Sequence, residues 1–265
     1  MQADLQSQVN GQNNLLLGDL EPDVYRRLAS RLELTSMTRG EIVCPSGRKL
    51  THAYFPVSCI ISLLHVLEDG ATGESAVIGN EGMLDVAIFT GGYSMASEAT
   101  VQNEGLAYRV PTEVLVDEFN RSTSTRNRLL RYTQTLLAQT SQTAICNRHH
   151  TVQQQLCRRL LLTLDRLPGN ELHMTQEQIA STLGVRREGI SEAAGRLQLA
   201  GLITYKRGRI TVLDRELLEE FACECYQVVK DECERLDNMI APPRKHLPYS
   251  TERRRRVRPP PPGNH

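Results

Sequence analysis

From Thr112 to Leu167 the chain contains neither proline nor glycine, and nothing else in it constrains the fold as much. Without the two residues that most readily break helices, this stretch is free to run as long helix. Leu129 and Leu130 recur one heptad later as Leu136 and Leu137, and Ala144 takes the next place in the second register. A short leucine seam of this kind suits a helix that packs on a second copy of itself, but an intrachain core helix would show the same spacing. Val152, Leu156, Leu160, Leu164 and Leu167 then form one apolar stripe, which stops at Pro168-Gly169.

The segments before this helix read differently. Residues 1–20 are a polar, flexible leader, and helical spacing starts after Glu21-Pro22-Asp23 with Val24, Leu28 and Leu32. Short β-rich runs follow at Glu41–Cys44, Ile60–Leu67, Ser75–Ile78 and Leu106–Val110. They are separated by Gly-bearing turns at Pro45-Ser46-Gly47, Glu68-Asp69-Gly70 and Asn103-Glu104-Gly105. Strands at that spacing predict a compact antiparallel barrel or roll. The expected organisation is a leader over 1–20, a β-roll over 21–120, a self-association helix over 121–147, a helical unit over 148–240 and a disordered Arg/Pro-rich tail over 241–265.

The most informative stretch is MTQEQIASTLGVRREGISEAAGRLQLA, residues 174–200. Thr175 is placed to cap a first helix, and Gly184 sits where that helix needs a left-handed terminus. A second helix from about Arg186 would bury Ile190, Ala194 and Leu197 on one face. Ile203–Lys206 and Arg209–Leu213 then read as a basic hairpin turning at Arg207-Gly208, and Leu217 to Val229 as one last amphipathic helix. Two short helices around a glycine turn, followed by such a hairpin, predict a winged helix-turn-helix.

Charge supports a polyanionic partner only locally. The chain has 31 Lys plus Arg and 31 Asp plus Glu, a net charge of zero. The tail nevertheless gathers Arg244, Lys245, the run Arg253–Arg256 and Arg258 against Glu252, and we read it as an accessory phosphate-binding arm. Arg186, Arg187, Glu188 and Ser191 lie in the first turns of the second helix, the part that reaches base edges in a major groove. Arginine pairs with guanine O6 and N7, and a glutamate accepts from cytosine N4. Thr175 and Gln176 at the first helix, with Lys206, Arg207 and Arg209 on the hairpin, are the expected phosphate contacts.

In TQEQIASTLGVRREGISEAAGRL, in the wing YKRGRITVLD and in the order of roll, long helix and winged unit, the chain resembles the Crp/Fnr family of bacterial transcription regulators over roughly residues 20–235. That resemblance implies an α+β fold: a cyclic-nucleotide-binding-like β-roll, a long dimerisation helix that would use Leu129, Leu130, Leu136 and Leu137, and a C-terminal winged helix-turn-helix. It further implies a cytoplasmic homodimer on inverted-repeat double-stranded DNA, with RNA polymerase as a partner if the chain activates. By position, Arg187 and Glu188 match the family's base-reading pair, Ser191 matches a further readout position, and Gln176 and Glu177 fall where phosphate contacts occur. Glu192 stands where many members carry a basic residue, which changes the expected operator.

The sensor half departs from the family's cofactor-binding patterns. Glu81 matches the acid that holds a cyclic nucleotide's ribose, but the position of the phosphate-binding arginine falls near Met95, and no Lys or Arg lies between Gly79 and Gly105. Glu81 and Met95 are therefore the effector-pocket candidates, with no cyclic nucleotide expected, because a buried phosphate needs a cation or a fan of N–H groups. No cysteine precedes Cys44, so no iron–sulfur cluster is expected, and no haem is assigned.

Seven cysteines at wide spacing, with no secretory signal in MQADLQSQVNGQNN, favour reduced thiols in a cytoplasm. Cys146, His149 and His150 could share a helical face, but hinge hydrogen bonding is the favoured reading and no metal is assigned. Cys225 belongs to the last helix's apolar stripe, and Cys223, two residues away, should point outward as a lone exposed thiol. No apolar run approaches the ~18 residues of a membrane span, and no membrane partner is expected. No triad, paired-carboxylate, Walker or dinucleotide signature stands in a supporting context, so no enzyme is assigned. The competing reading is a β-roll that regulates a partner protein, with the winged unit serving as a protein-docking surface.

Overall fold

A computed structural model describes residues 13–238 apart from Tyr93. The tail expected from residue 241 and the leader up to residue 12 lie outside the described residues. Two short helices, α1 (Leu15–Gly18) and α2 (Pro22–Ala29), lead into seven strands: β1 (Glu33–Met37), β2 (Ile42–Cys44), β3 (His52–Pro56), β4 (Ile60–Val66), β5 (Thr72–Ile78), β6 (Glu98–Asn103) and β7 (Gly105–Pro111). They form two antiparallel sheets, ordered β1-β7-β3 and β2-β6-β4-β5. Side chains from both sheets, among them Met37, Ile61, Leu63, Ile78, Val101 and Ala107, fill the space between them.

α3 (Thr112–Arg121) and the long α4 (Thr123–His149) occupy most of the stretch free of proline and glycine, which breaks at Ser122, whose extended backbone lets it cap α4 through Thr125 N, and again at His150 and Thr151, where the backbone is extended. α4 packs on the roll through Leu129 and Tyr132, in a core shared with Leu16, Leu17, Leu28, Phe55 and Leu115. Tyr132 crosses the roll at Gly82, where a Cβ would come within 2.1 Å of the ring, and its hydroxyl donates to Met83 O at 3.0 Å. Only glycine admits the ring at that position.

This packing corrects two expectations. Residues 14–20 are not a leader: Leu16 and Leu17 are fully buried, and the Asn14 amide caps α1 while donating to Pro56 O and Gly82 O, each at 2.8 Å. Leu16 and Leu17 supply apolar area that the surrounding polar residues obscure, and burying each contributes about 1.5–3 kcal/mol. Among the leucines proposed for dimerisation, Leu129 is only 1% exposed and Leu136 packs against the roll, so both serve the chain's own core. Leu130 and Leu137 remain 41% and 58% exposed. The heptad contains two registers, and the roll takes one of them.

The C-terminal unit comprises α5 (Val152–Leu164), β8 (Glu171–His173), α6 (Gln176–Leu183), α7 (Arg187–Leu199), β9 (Ile203–Lys206), β10 (Arg209–Val212), α8 (Arg215–Phe221) and α9 (Cys225–Asp237). Leu156, Leu160, Ile190 and Leu197 share one core, as the apolar spacing predicted, and Ile179 and Ile210 join it. The single last helix is a misreading. It is two helices, because Ala222 takes an extended backbone and α9 restarts after Glu224. Cys223 therefore lies in the break, and it is buried rather than exposed.

A buried polar cluster joins the roll to α5. The Arg159 guanidinium donates to Glu74 Oε2 at 2.8 Å, to Thr163 Oγ1 at 2.5 Å and to Gln102 Oε1, and Ser62 Oγ donates to Glu74 Oε2 at 2.6 Å. Burial pushes the Glu74 carboxyl up despite Arg159, and it pulls the Arg159 guanidinium down despite Glu74. For both groups, desolvation outweighs the attraction of the pair. Removing one partner strands the other charge in the interior, so Arg159→Ala should cost about 3–5 kcal/mol, whereas replacing both partners with apolar residues costs far less. Denaturant unfolding of Arg159→Ala beside an Arg159→Met/Glu74→Leu double variant checks this. Equal losses in the two would contradict it.

Candidate nucleic-acid interface

α6 begins with a reciprocal cap: the Gln178 N–H donates to Thr175 Oγ1 at 3.2 Å, and the Thr175 N–H donates to Gln178 Oε1 at 2.9 Å. The cap leaves the Thr175 hydroxyl proton free to donate outward. α6 ends at Gly184, whose φ of 65° is left-handed and whose N–H closes on Ala180 O. A side chain there would be strained, so the angle between α6 and α7 rests on this glycine.

Arg186 stands at the N-cap of α7 with no side-chain cap of its own, and Arg187 and Glu188 lie in the first turn. All three are exposed, and none forms an ion pair among the described residues. Ser191 Oγ donates to Gln176 Oε1 at 2.7 Å, so the structure brings the readout and phosphate candidates of the two helices together. Glu192 pairs with Arg196, which also donates to Gln153 at 2.7 Å. The anionic position on α7 is thus held along the helix by its own neighbour.

β8, β10 and β9 form the wing sheet, with Arg209 opposite Lys206 across the hairpin. Arg207 and Gly208 both have positive φ, 51° and 77°. Three hydrogen bonds fix the wing to the helices: Met174 N to Gly208 O and Tyr205 OH to Met174 O, each at 2.8 Å, and Tyr205 N to Gln198 Oε1 at 2.8 Å. Burial pushes the Tyr205 hydroxyl up to about 12, so it stays a donor. Lys206 and Arg207 are exposed without an ion pair among the described residues, while Arg209 meets Glu171 at 3.3 Å. The amino end of α7 and the hairpin tip therefore present positive side chains from one rigid unit.

Sequence reasoning did not foresee how this unit rests on the roll. Arg39 donates to Gln178 Oε1 at 2.7 Å, and Thr72 Oγ1 donates to Ser181 O at 3.0 Å. Arg39 and Thr72 lie more than a hundred residues before their partners, and no local pattern marks them. The effector candidates are similarly altered by the fold. Glu81 accepts from Arg166 Nε at 2.7 Å and from Gly79 N at 3.1 Å, and Met95 packs against the roll's core. The cation that residues 79–105 lack is supplied by Arg166, just past α5. Burial opposes its charge, but the Glu81 carboxylate more than offsets this and holds the guanidinium above its ordinary range.

Among the described residues, no helix is long and apolar enough to cross a membrane. Residues 154–221 match the family described as the Crp-like helix-turn-helix domain. No curated protein matches the chain in sequence. Solved structures do match. A regulator assigned to the Crp/Fnr family from Eubacterium rectale superposes with a TM-score of 0.63 at 19% identity, covering 79% of this chain and 98% of its own. FixK2 from Bradyrhizobium japonicum gives 0.61 at 16%, covering 72% and 98%. The c-di-GMP responsive global regulator CLP from Xanthomonas campestris gives 0.58 at 15%, covering 73% and 100%. The chain has the fold of the Crp/Fnr transcription regulators, with a β-roll followed by a Crp-like helix-turn-helix DNA-binding domain.

Proposed function

We propose that this chain is a sequence-specific transcription regulator that binds inverted-repeat DNA as a homodimer. The observation that carries the reading is the amino end of α7: Arg186, Arg187 and Glu188 project, unpaired, from the helix after the glycine turn. Base edges are read in the major groove by side chains at that place. Thr175, Gln176, Lys206, Arg207 and Arg209 surround them with donors and cations for the phosphates. The second copy comes in along α4, where Leu130 and Leu137 lie bare. Two reading helices placed by a two-fold axis require half-sites about 34–36 Å apart, one turn of DNA.

Selection of bound duplexes from a random-sequence pool by the full chain tests the reading. Enrichment of an inverted repeat, with affinity falling steeply as salt rises, is the expected result. A pool that stays random at low salt would defeat it. Arg207→Ala should weaken all sequences alike and lower the salt slope by about one per half-site, because a wing-tip cation meets phosphate and not base. A change of preferred sequence in that variant would show that the wing reads bases.

A further inference from the structure

Three of the seven cysteines form a buried cluster of their own: Cys146, Cys223 and Cys225 pack on one another, outside the aliphatic cores. Thiols used as core filler normally sit among aliphatic neighbours. His150 closes the group from one side. The three sulfurs and the ring nitrogen of His150 all lie within 4.8 Å of one another. Cys146 Sγ and Cys223 Sγ are 3.5 Å apart, and Cys225 Sγ is 3.4 Å from His150 Nδ1.

The 3.5 Å between sulfurs and the 3.4 Å from sulfur to nitrogen come close to the edges of a coordination tetrahedron. A zinc ion with Zn–S of about 2.3 Å and Zn–N of about 2.0–2.1 Å sets S···S edges of about 3.8 Å and S···N edges of about 3.5 Å. Four protein ligands leave no open position, which is the pattern of a structural zinc site. Thiolate and imidazole donors select this ion over magnesium or calcium. An iron–sulfur cluster would need its ligands spread around several metal atoms, and this group is too compact for one.

The surroundings fit as well. The other ring nitrogen of His150, Nε2, faces Glu224 Oε2 at 3.3 Å, the carboxylate partner that orients a metal-bound imidazole. Gln142 Nε2 donates to Cys225 Sγ at 3.0 Å. Arg158 is buried beside the group and acts electrostatically on Cys146; it is anchored to Thr143, one turn before that cysteine, at 2.8 Å. Its Nε has no hydrogen-bond partner among the described residues. Three thiolates around a divalent ion carry one net negative charge, and Arg158 supplies the opposite one.

We propose that Cys146, His150, Cys223 and Cys225 bind one zinc ion, which fastens the end of the long helix to the break between the last two helices. Zinc enters as the thiols release their protons to solvent. Cys146 and His150 end α4, and Cys223 and Cys225 flank the start of α9, so the ion closes the joint between the dimerisation helix and the DNA-binding unit. The inference stands apart from the DNA-binding proposal, since the metal is measured without DNA.

The full chain, purified under reducing conditions from zinc-supplied cells, should hold about one zinc per chain by elemental analysis. Cobalt exchanged for zinc should show thiolate-to-cobalt charge-transfer absorption and the d–d bands of a tetrahedral ion. Cys223→Ser and Cys225→Ser should lose the metal, and Cys233→Ser should keep it. Glu224→Gln should weaken zinc affinity about 10–100-fold against a chelator. Because a thiol variant could lose its fold together with its metal, the cobalt spectrum of the unaltered chain decides independently. Absence of both zinc and the cobalt bands overturns the proposal. So does zinc retained in Cys223→Ser, another metal in its place, or a Cys146–Cys223 disulfide as the isolated form.

Discussion

Leu137→Glu, combined with Leu130→Glu, is expected to yield a folded monomer that no longer selects an inverted repeat. Leu130 and Leu137 are 41% and 58% exposed, and Ile145 further along α4 is 54% exposed. Half-exposed leucines one heptad apart on a helix whose other faces pack on the roll and on α9 form a seam without a partner among the described residues. Burying the exposed 58% of Leu137 and of its symmetry mate would contribute about 2–3.5 kcal/mol to association, roughly a 20- to 400-fold change in the dimer Kd. Glutamate removes that contribution and sets two like charges face to face. Since both positions are solvated in the single chain, circular dichroism should barely change, while the melting temperature should fall only by the dimer's own contribution and lose its dependence on protein concentration. Light scattering after gel filtration, with a gel shift on the selected duplex, reads the outcome. Leu129→Glu provides the contrast: Leu129 is 1% exposed, so that change should unfold the chain instead. A Leu130/Leu137 variant that stayed dimeric would move the interface elsewhere.

The fate of those leucines shows how far the sequence could be read. Spacing revealed a heptad but not which of its two registers faces the roll, because that depends on strands distant in the chain. The helix-turn-helix was legible throughout: Thr175, Gly184 and the apolar face Ile190, Ala194 and Leu197 lie within one window, and each acts on near neighbours. The strands Glu33–Met37, His52–Pro56, Glu98–Asn103 and Glu171–His173 were not read, because they are short or polar, and His52–Pro56 ends in proline. Their pairing comes from the sheet and not from their own composition. Cys223 was misread because apolar spacing runs on from Leu217 to Val229 across a backbone that in fact turns at Ala222. Periodicity cannot register a break that leaves it in phase. The cluster of Cys146, Cys223 and Cys225 joins residues some 77 positions apart, a separation only the fold can close. Resemblance makes Glu81 an effector-pocket candidate, but Arg166, which pairs with it, lies 85 positions further on.

Arg187→Ala should abolish discrimination at one symmetric base pair of the operator while leaving the protein intact. The Arg187 side chain is exposed in the first turn of α7 and has no ion pair among the described residues, so truncation should shift stability by less than about 0.5 kcal/mol. A bidentate arginine–guanine contact is worth about 1–3 kcal/mol of discrimination. A homodimer makes that contact twice, so the selected duplex should lose about 2–6 kcal/mol of its advantage over a duplex altered at both symmetric positions, roughly 30-fold to 10⁴-fold. Binding to random duplex should fall much less, because the phosphate contacts of Thr175, Gln176 and the wing remain. In the proposed reading Glu188, beside Arg187, accepts from a cytosine N4, so Glu188→Ala should relax a neighbouring position and not the same one. Competition gel shifts across single-pair operator variants distinguish these two maps. If Arg187→Ala retained the parent's preference at every pair, the reading surface would not be the amino end of α7, and Ser191 and the wing would have to carry the specificity.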